Sequence, residues 1–226
     1  MSPPTEPLAI VPVPTTADPA VSCAPIAGEP PVVRAVRTLL GRVAARRVVV
    51  VVACPFAARV RDALAFHGCS EVAVRVLNGS DHRAGAIAAG LEELGQEPDS
   101  STPVLIHDVR HPLVPAEVID RVVAALGAGH RIVVPVVPVT DSVKSVDERG
   151  VVTATVDRAT LLAVQYPRGF VCSTLSELIV DGATDELQVA LAAGLPVETV
   201  DGHADAVRFT LPADAALLEA VIASRR

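Results

Sequence analysis

Short apolar runs alternate along this chain with longer stretches in which apolar and polar residues mix at helical spacing. The runs fall at 8–13, 47–53, 71–76, 103–107 and 131–137, and the mixed stretches lie near 31–44, 56–67, 83–94 and 115–128. A run such as 47–53 (RVVVVVA) has no polar face, so its strand is covered on both sides. The alternation predicts successive βαβ units: a parallel sheet with helices on each face, in a single domain spanning 1–226.

Between 138 and 164 the rhythm changes. DSVKSV and VVTATV alternate with period two around Asp147-Glu-Arg-Gly150, which predicts a β-hairpin rather than another βα unit. An isolated two-stranded hairpin is marginal in water, so this arm, about 138–160, needs a partner surface, and a homodimer is the expectation. Helical stretches near 172–181, 184–193 and 213–224 close the chain, with PVETVDG (196–202) as a late strand.

Composition narrows the picture. Half of the residues are hydrophobic but only 2% are aromatic, so the core is built from Val, Ala and Leu. The apolar runs are too short to span a bilayer, and the opening residues lack the charged-then-apolar pattern of a secretory leader. A cytoplasmic protein with no membrane partner is the expectation. The four cysteines form no C-x-x-C pair, so free buried thiols are the plain reading. A net charge of −7 argues against a nucleic-acid partner.

Candidate chemistry sits where α/β folds place ligands, at the ends of strands. The first strand, AIVPV, runs into the loop that ordinarily holds a phosphate with glycines and a basic residue. Here there is no glycine until Gly28 and no Lys or Arg before Arg34. After the fourth strand comes HDVRHP, in which Asp108 can ligate Mg²⁺ and so hold a polyphosphate, or can simply order the turn. His107 and His111 suggest a metal pair, but no third ligand accompanies them. Asp157-Arg158 closes the hairpin. Thr184-Asp185-Glu186 opens a helix, and capping alone explains it. Arg208 reads as a surface charge. Lys144 is the only lysine.

Taken in order, HDxxxP, PVTDSVK, VDRATLLAVQYPRGF, TDE and VDGxxxxxRFTxPxD make the chain resemble the 2-C-methyl-D-erythritol 4-phosphate cytidylyltransferases from about residue 8 to residue 222. The resemblance implies a three-layer nucleotidyltransferase fold with a dimerising hairpin arm. It also implies that CTP and methylerythritol phosphate are joined with release of pyrophosphate, with Mg²⁺ as cofactor. Such catalysis is chiefly positioning and charge neutralisation.

Carried over residue by residue, it implies substrate-binding roles for Asp108, Arg158, Thr184 and Arg208, with Arg208 in place of a Lys. It implies nucleotide-binding roles for Gly79, Arg83 and Asp108, and a metal-binding role for Asp108. Asp141, Lys144 and Gln165 also match. Departures are as informative. Ala86 replaces a Ser, His111 replaces an Arg with Arg110 one position early, and Tyr166 and Arg168 replace a Thr and a Gln. The opening loop loses its glycines, its Arg and its Lys, with Val21 near the Lys position, and Pro14 and Pro19 remove N–H donors. No catalytic residue is assigned. The expectation is a family member whose CTP-dependent transfer is weak or lost. The alternatives are an active enzyme with its charge relocated to Arg34 or Arg110, and a non-catalytic partner of an active relative.

Overall fold

A computed structural model of the chain describes residues 6–13, 22–77, 83–95, 100–180 and 183–225. Its centre is a sheet of β1 (Leu8–Pro12), β2 (Val48–Ala53), β3 (Ala73–Leu77), β4 (Pro103–Ile106), β5 (Ile132–Pro138), β8 (Leu162–Val164), β9 (Arg168–Val171) and β10 (Glu198–Asp201). The order across it is β10-β5-β9-β4-β1-β2-β3, with β8 on β5. Ladders β4–β1–β2–β3 and β5–β10 are parallel, while β8 and β9 run antiparallel to their neighbours.

Continuous Val/Ile runs form strands here because both faces are covered. Ala9, Val11, Val48, Val50 and Val52 face one layer, with α1 (Pro31–Leu40), α2 (Ala57–Phe66) and α4 (Ala116–Gly127). Leu8, Ile10, Val49 and Val51 face the other, with α3 (Arg83–Leu94), α5 (Cys172–Leu178) and α6 (Glu186–Ala192). The last helix, α7 (Ala215–Ala223), buries Leu218 and Ile222 against Ile26 and Phe209. Close approach of α3 to β1 depends on Gly90, where a Cβ would lie 2.6 Å from Ile10 Cγ2.

The hairpin is β6 (Val143–Val146) with β7 (Val152–Val156), which among the described residues pair only with each other. Asp147 organises its turn by accepting from the N–H groups of Arg149 and Val151, and Gly150 takes the positive φ of 79° that closes it. Val146 and Val152 remain exposed on this arm.

The sequence pattern does not show β8 or β9. β9 (RGFV) begins with an Arg and a Gly, too short and polar a run to read as a strand. Between β4 and β5 its tertiary position overrides local propensity, and Gly169 lets α4 lie close, 2.5 Å from a would-be Cβ to Val122 Cγ1. Among the described residues no helix is long and apolar enough to cross a membrane.

Candidate active site at the carboxyl edge of the sheet

The chain leaves β4 with the His107 N–H still donating to Ile10 O at 2.9 Å, so the next residues start from the carboxyl edge of the sheet. His111 N–H returns to Asp108 O at 2.9 Å and closes a tight turn. Within that turn Arg110 folds back on Asp108. Its Nε lies 2.9 and 3.0 Å from the two carboxylate oxygens, its backbone N–H donates to Oδ1 at 2.9 Å, and Nη2 donates to Oδ2. Asp108 is 2% exposed. Burial pushes its carboxyl up, but the side-chain hydrogen bonds, charge and backbone N–H of Arg110 outweigh this and hold the pKa at about 2.

Beside this pair lies a second set of charges. Arg83, the first residue of α3, forks onto Glu186 with Nε–Oε2 at 2.7 Å and Nη2–Oε1 at 2.8 Å. Arg168, the first residue of β9, donates from Nη1 to Asp185 Oδ1 at 2.7 Å and Glu186 Oε1 at 3.2 Å, and from Nη2 to Asp185 Oδ2 at 3.2 Å. Asp185 also caps α6 through the Leu187 N–H at 2.8 Å. Glu186 is 4% exposed. Burial raises its carboxyl, yet the hydrogen bonds and charge of Arg83, with the charge of Arg168, bring it below the usual range.

Tyr166 joins the two sets. Its ring lies 4.9 Å from the His111 ring, with the guanidinium carbon of Arg168 at 4.8 Å and that of Arg83 at 5.7 Å from its centroid. Burial raises the phenol pKa, against the lowering effect of the arginines. The His111 Nδ1 stands 3.0 Å from Ala206 O, and since a carbonyl only accepts, the proton sits on Nδ1. Burial lowers the His111 pKa. His107 is fully buried with neither ring nitrogen bonded to a described residue, and burial with the neighbouring His111 takes its pKa to about 3.

The charges balance. Arg83, Arg110 and Arg168 face Asp108, Asp185 and Glu186, and each is paired within the chain.

Of the residues singled out by the sequence, Asp108 and Arg83 lie in this cluster, and Thr184 is exposed immediately before Asp185. Arg208 is exposed next to Phe209, whose N–H donates to Arg110 O at 2.8 Å, and its charge acts on His111. Arg158 is elsewhere: exposed at the base of the arm, where Nη1 donates to Thr140 O. Lys144 bonds Thr155 Oγ1 within the arm at 2.7 Å. Gln165 is structural, with its amide holding both the N–H and the carbonyl of His203 at 2.9 Å. Arg34 is tied to Glu29 and to Ile26 O. Gly79, Pro14, Pro19 and Val21 lie outside the described residues.

Sequence reasoning missed Glu186 as the common acceptor of two arginines, reading it only as an acid in the first turn of a capped helix. The signal was an acid one residue past the cap, with an Arg at the start of an unrecognised strand. It also assigned Asp108 to Mg²⁺. Both of its oxygens are taken by Arg110, the adjoining carboxylates are taken by Arg83 and Arg168, and the described residues contain no group of three His, Cys, Asp or Glu that could hold a metal ion. The side chains as arranged do not fit a divalent cation.

Comparison with known proteins agrees with this architecture. The family "2-C-methyl-D-erythritol 4-phosphate cytidylyltransferase" matches residues 18–224. The protein of that name from Nocardia farcinica is 40% identical over 203 residues, covering 89% of this chain and 85% of its own length. One from Streptomyces avermitilis is 37% identical over 209 residues, covering 88% of this chain and 82% of its own. The crystal structure of the Thermus thermophilus protein of that name superposes with a TM-score of 0.72 at 25% identity, over 96% of this chain and 99% of that one. The family match, the identities and the superposition thus lead to one assignment: the chain belongs to the 2-C-methyl-D-erythritol 4-phosphate cytidylyltransferase family.

Proposed function

We propose that this chain is a cytidylyltransferase-family protein of isoprenoid biosynthesis in which transfer from CTP to methylerythritol phosphate is strongly weakened or lost, while an acceptor-side phosphate site is retained. One observation carries the weakened transfer: Arg83, Arg110 and Arg168 at the carboxyl edge are neutralised by the chain's own carboxylates, and the opening stretch supplies no basic residue before Arg34, while the exposed Arg208 and Thr184 support the acceptor side. A triphosphate in transfer needs net positive charge and N–H donors aimed at it. The family match starting at residue 18, beyond β1, is consistent with an altered opening. Losing one such donor costs about 10²–10³ in rate, so losing two charges and a backbone cradle reaches about 10⁴, the effects not being additive.

The arm's exposed valines support pairing with a second copy, which would bring Arg158 to the acceptor side from the other chain. Relatives 37–40% identical bear the enzyme's name, and the partly exposed Arg110 is the best-placed relocated charge, so an active enzyme is the second reading. Pyrophosphate release from CTP, Mg²⁺ and methylerythritol phosphate separates the two. The proposal predicts turnover at or near background, and a rate within about tenfold of an intact family member selects the second reading. Light scattering on the same sample should give twice the 23.3 kDa chain mass, and a monomer at micromolar concentration removes the arm from the account.

A further inference from the structure

We infer that Arg110 is a built-in cation at the end of β4: held on Asp108, it takes the place of a divalent metal ion and makes phosphate binding at this edge independent of metal. The inference deepens the proposed acceptor-side reading and rests on it for the class of ligand, a phosphate monoester.

The geometry is that of a filled cation site. Asp108 is nearly inaccessible, and Nε, Nη2 and the backbone N–H of Arg110 converge on its two oxygens. A planar guanidinium matches a carboxylate side-on, whereas Mg²⁺ demands its own octahedral set of oxygens. To coordinate Asp108 a metal would have to displace a bidentate partner and leave Arg110 unpaired beside Arg83, whose like charge already acts on it. The neighbouring carboxylates give no way round, because Asp185 and Glu186 are held by Arg168 and Arg83.

The other side of Arg110 is open. Its side chain is 35% exposed, and Nη1 has no hydrogen bond to any described residue. Phe209 N–H donates to Arg110 O at 2.8 Å, and the exposed Arg208 that precedes it places its charge on the neighbouring His111. The guanidinium therefore has one edge anchored on a buried carboxylate and one edge facing solvent. That arrangement accepts a phosphate oxyanion directly, through charge-assisted hydrogen bonds.

Two readouts test this without measuring turnover. In Mn²⁺ titrations followed by electron paramagnetic resonance, the wild-type protein should show no Asp108-dependent bound ion. Asp108→Asn should leave the Mn²⁺ signal of the wild type unchanged. In calorimetric titrations with inorganic phosphate, wild-type affinity should be the same in EDTA as in Mg²⁺, and Arg110→Ala in EDTA should weaken it about tenfold or more. If Arg110→Ala does not fold, Arg110→Gln serves, since it removes the charge and keeps much of the volume. An Mn²⁺ site in the wild type that Asp108→Asn abolishes overturns the inference, as does phosphate binding that requires metal. Unchanged phosphate affinity in a folded Arg110 variant also overturns it. Robust cytidylyl transfer would defeat the proposed function without altering the Mn²⁺ result.

Discussion

The carboxyl edge of the sheet has two unlike halves. At the ends of β1 and β2 the described residues are apolar: Val13 is 5% exposed and Val52 1%, before the chain turns out to the exposed Cys54. At β4, β9 and the start of α6 the chain buries His107, Asp108, His111, Gln165, Arg168 and Glu186 within one neighbourhood. In a fold that binds ligands at this edge, the first half would be expected to hold the triphosphate and the second the acceptor. The difference teaches that polarity at a site is not the same as availability. The polar half keeps its charges because they are paired with one another, and among its described residues Arg110, Arg208 and Thr184 present their polar groups to solvent.

The most forceful way to break this contrast is to remove the shared acceptor. Glu186→Ala leaves Arg83 and Arg168 without their buried carboxylate, and breaking such a pair costs about 3–5 kcal/mol. For a chain of this size that lowers Tm by roughly 6–20 °C. In the apolar half the matching control, Cys54→Ala at an exposed position after β2, should stay within about 0.5 kcal/mol of wild type. Equal melting points for the two variants would show that the network contributes nothing to the fold.

A smaller effect separates the halves by pH. His107 has a folded pKa of about 3, through burial and then His111, against about 6.5 in an unfolded chain. Between those values the unfolded state holds the extra proton, so stability falls as pH is lowered through that window. The loss is about 2 kcal/mol from pH 6.5 to pH 5. His111, also lowered, acts in the same direction. The lowered carboxylate of Asp108 acts later, its stabilisation being lost as pH falls from about 4 toward 2. Denaturant midpoints between pH 7 and 5 should therefore slope less in His107→Gln than in wild type, and an unchanged slope removes His107 as the cause.

Legibility differed between the halves for physical reasons. β1, β2, α3 and the hairpin turn were readable because each rests on local pattern: a two-sided apolar run, a helical stripe, an Asp and a Gly at fixed turn positions. Asp108, Thr184 and Arg208 were singled out by motif order, and of these Asp108 lies within the charged cluster. Pairing was not. Nothing in the sequence says that Arg83 meets Glu186 across 103 residues, or that Arg168 begins a central antiparallel strand, because both follow from tertiary placement of β9 and α6. The Asp108–Arg110 pair is only two residues apart, yet its closure depends on the turn geometry after β4.

The measurement that tests the contrast most directly is a pair of calorimetric titrations on one wild-type sample, CTP with Mg²⁺ in one and methylerythritol phosphate in the other. The account predicts heat and saturation for the phosphate monoester, and none for CTP across the roughly 1 µM–1 mM range usual for enzyme substrates. Saturable CTP binding within that range would contradict it, because the apolar half would then hold a triphosphate without the charge and donors that such a ligand requires.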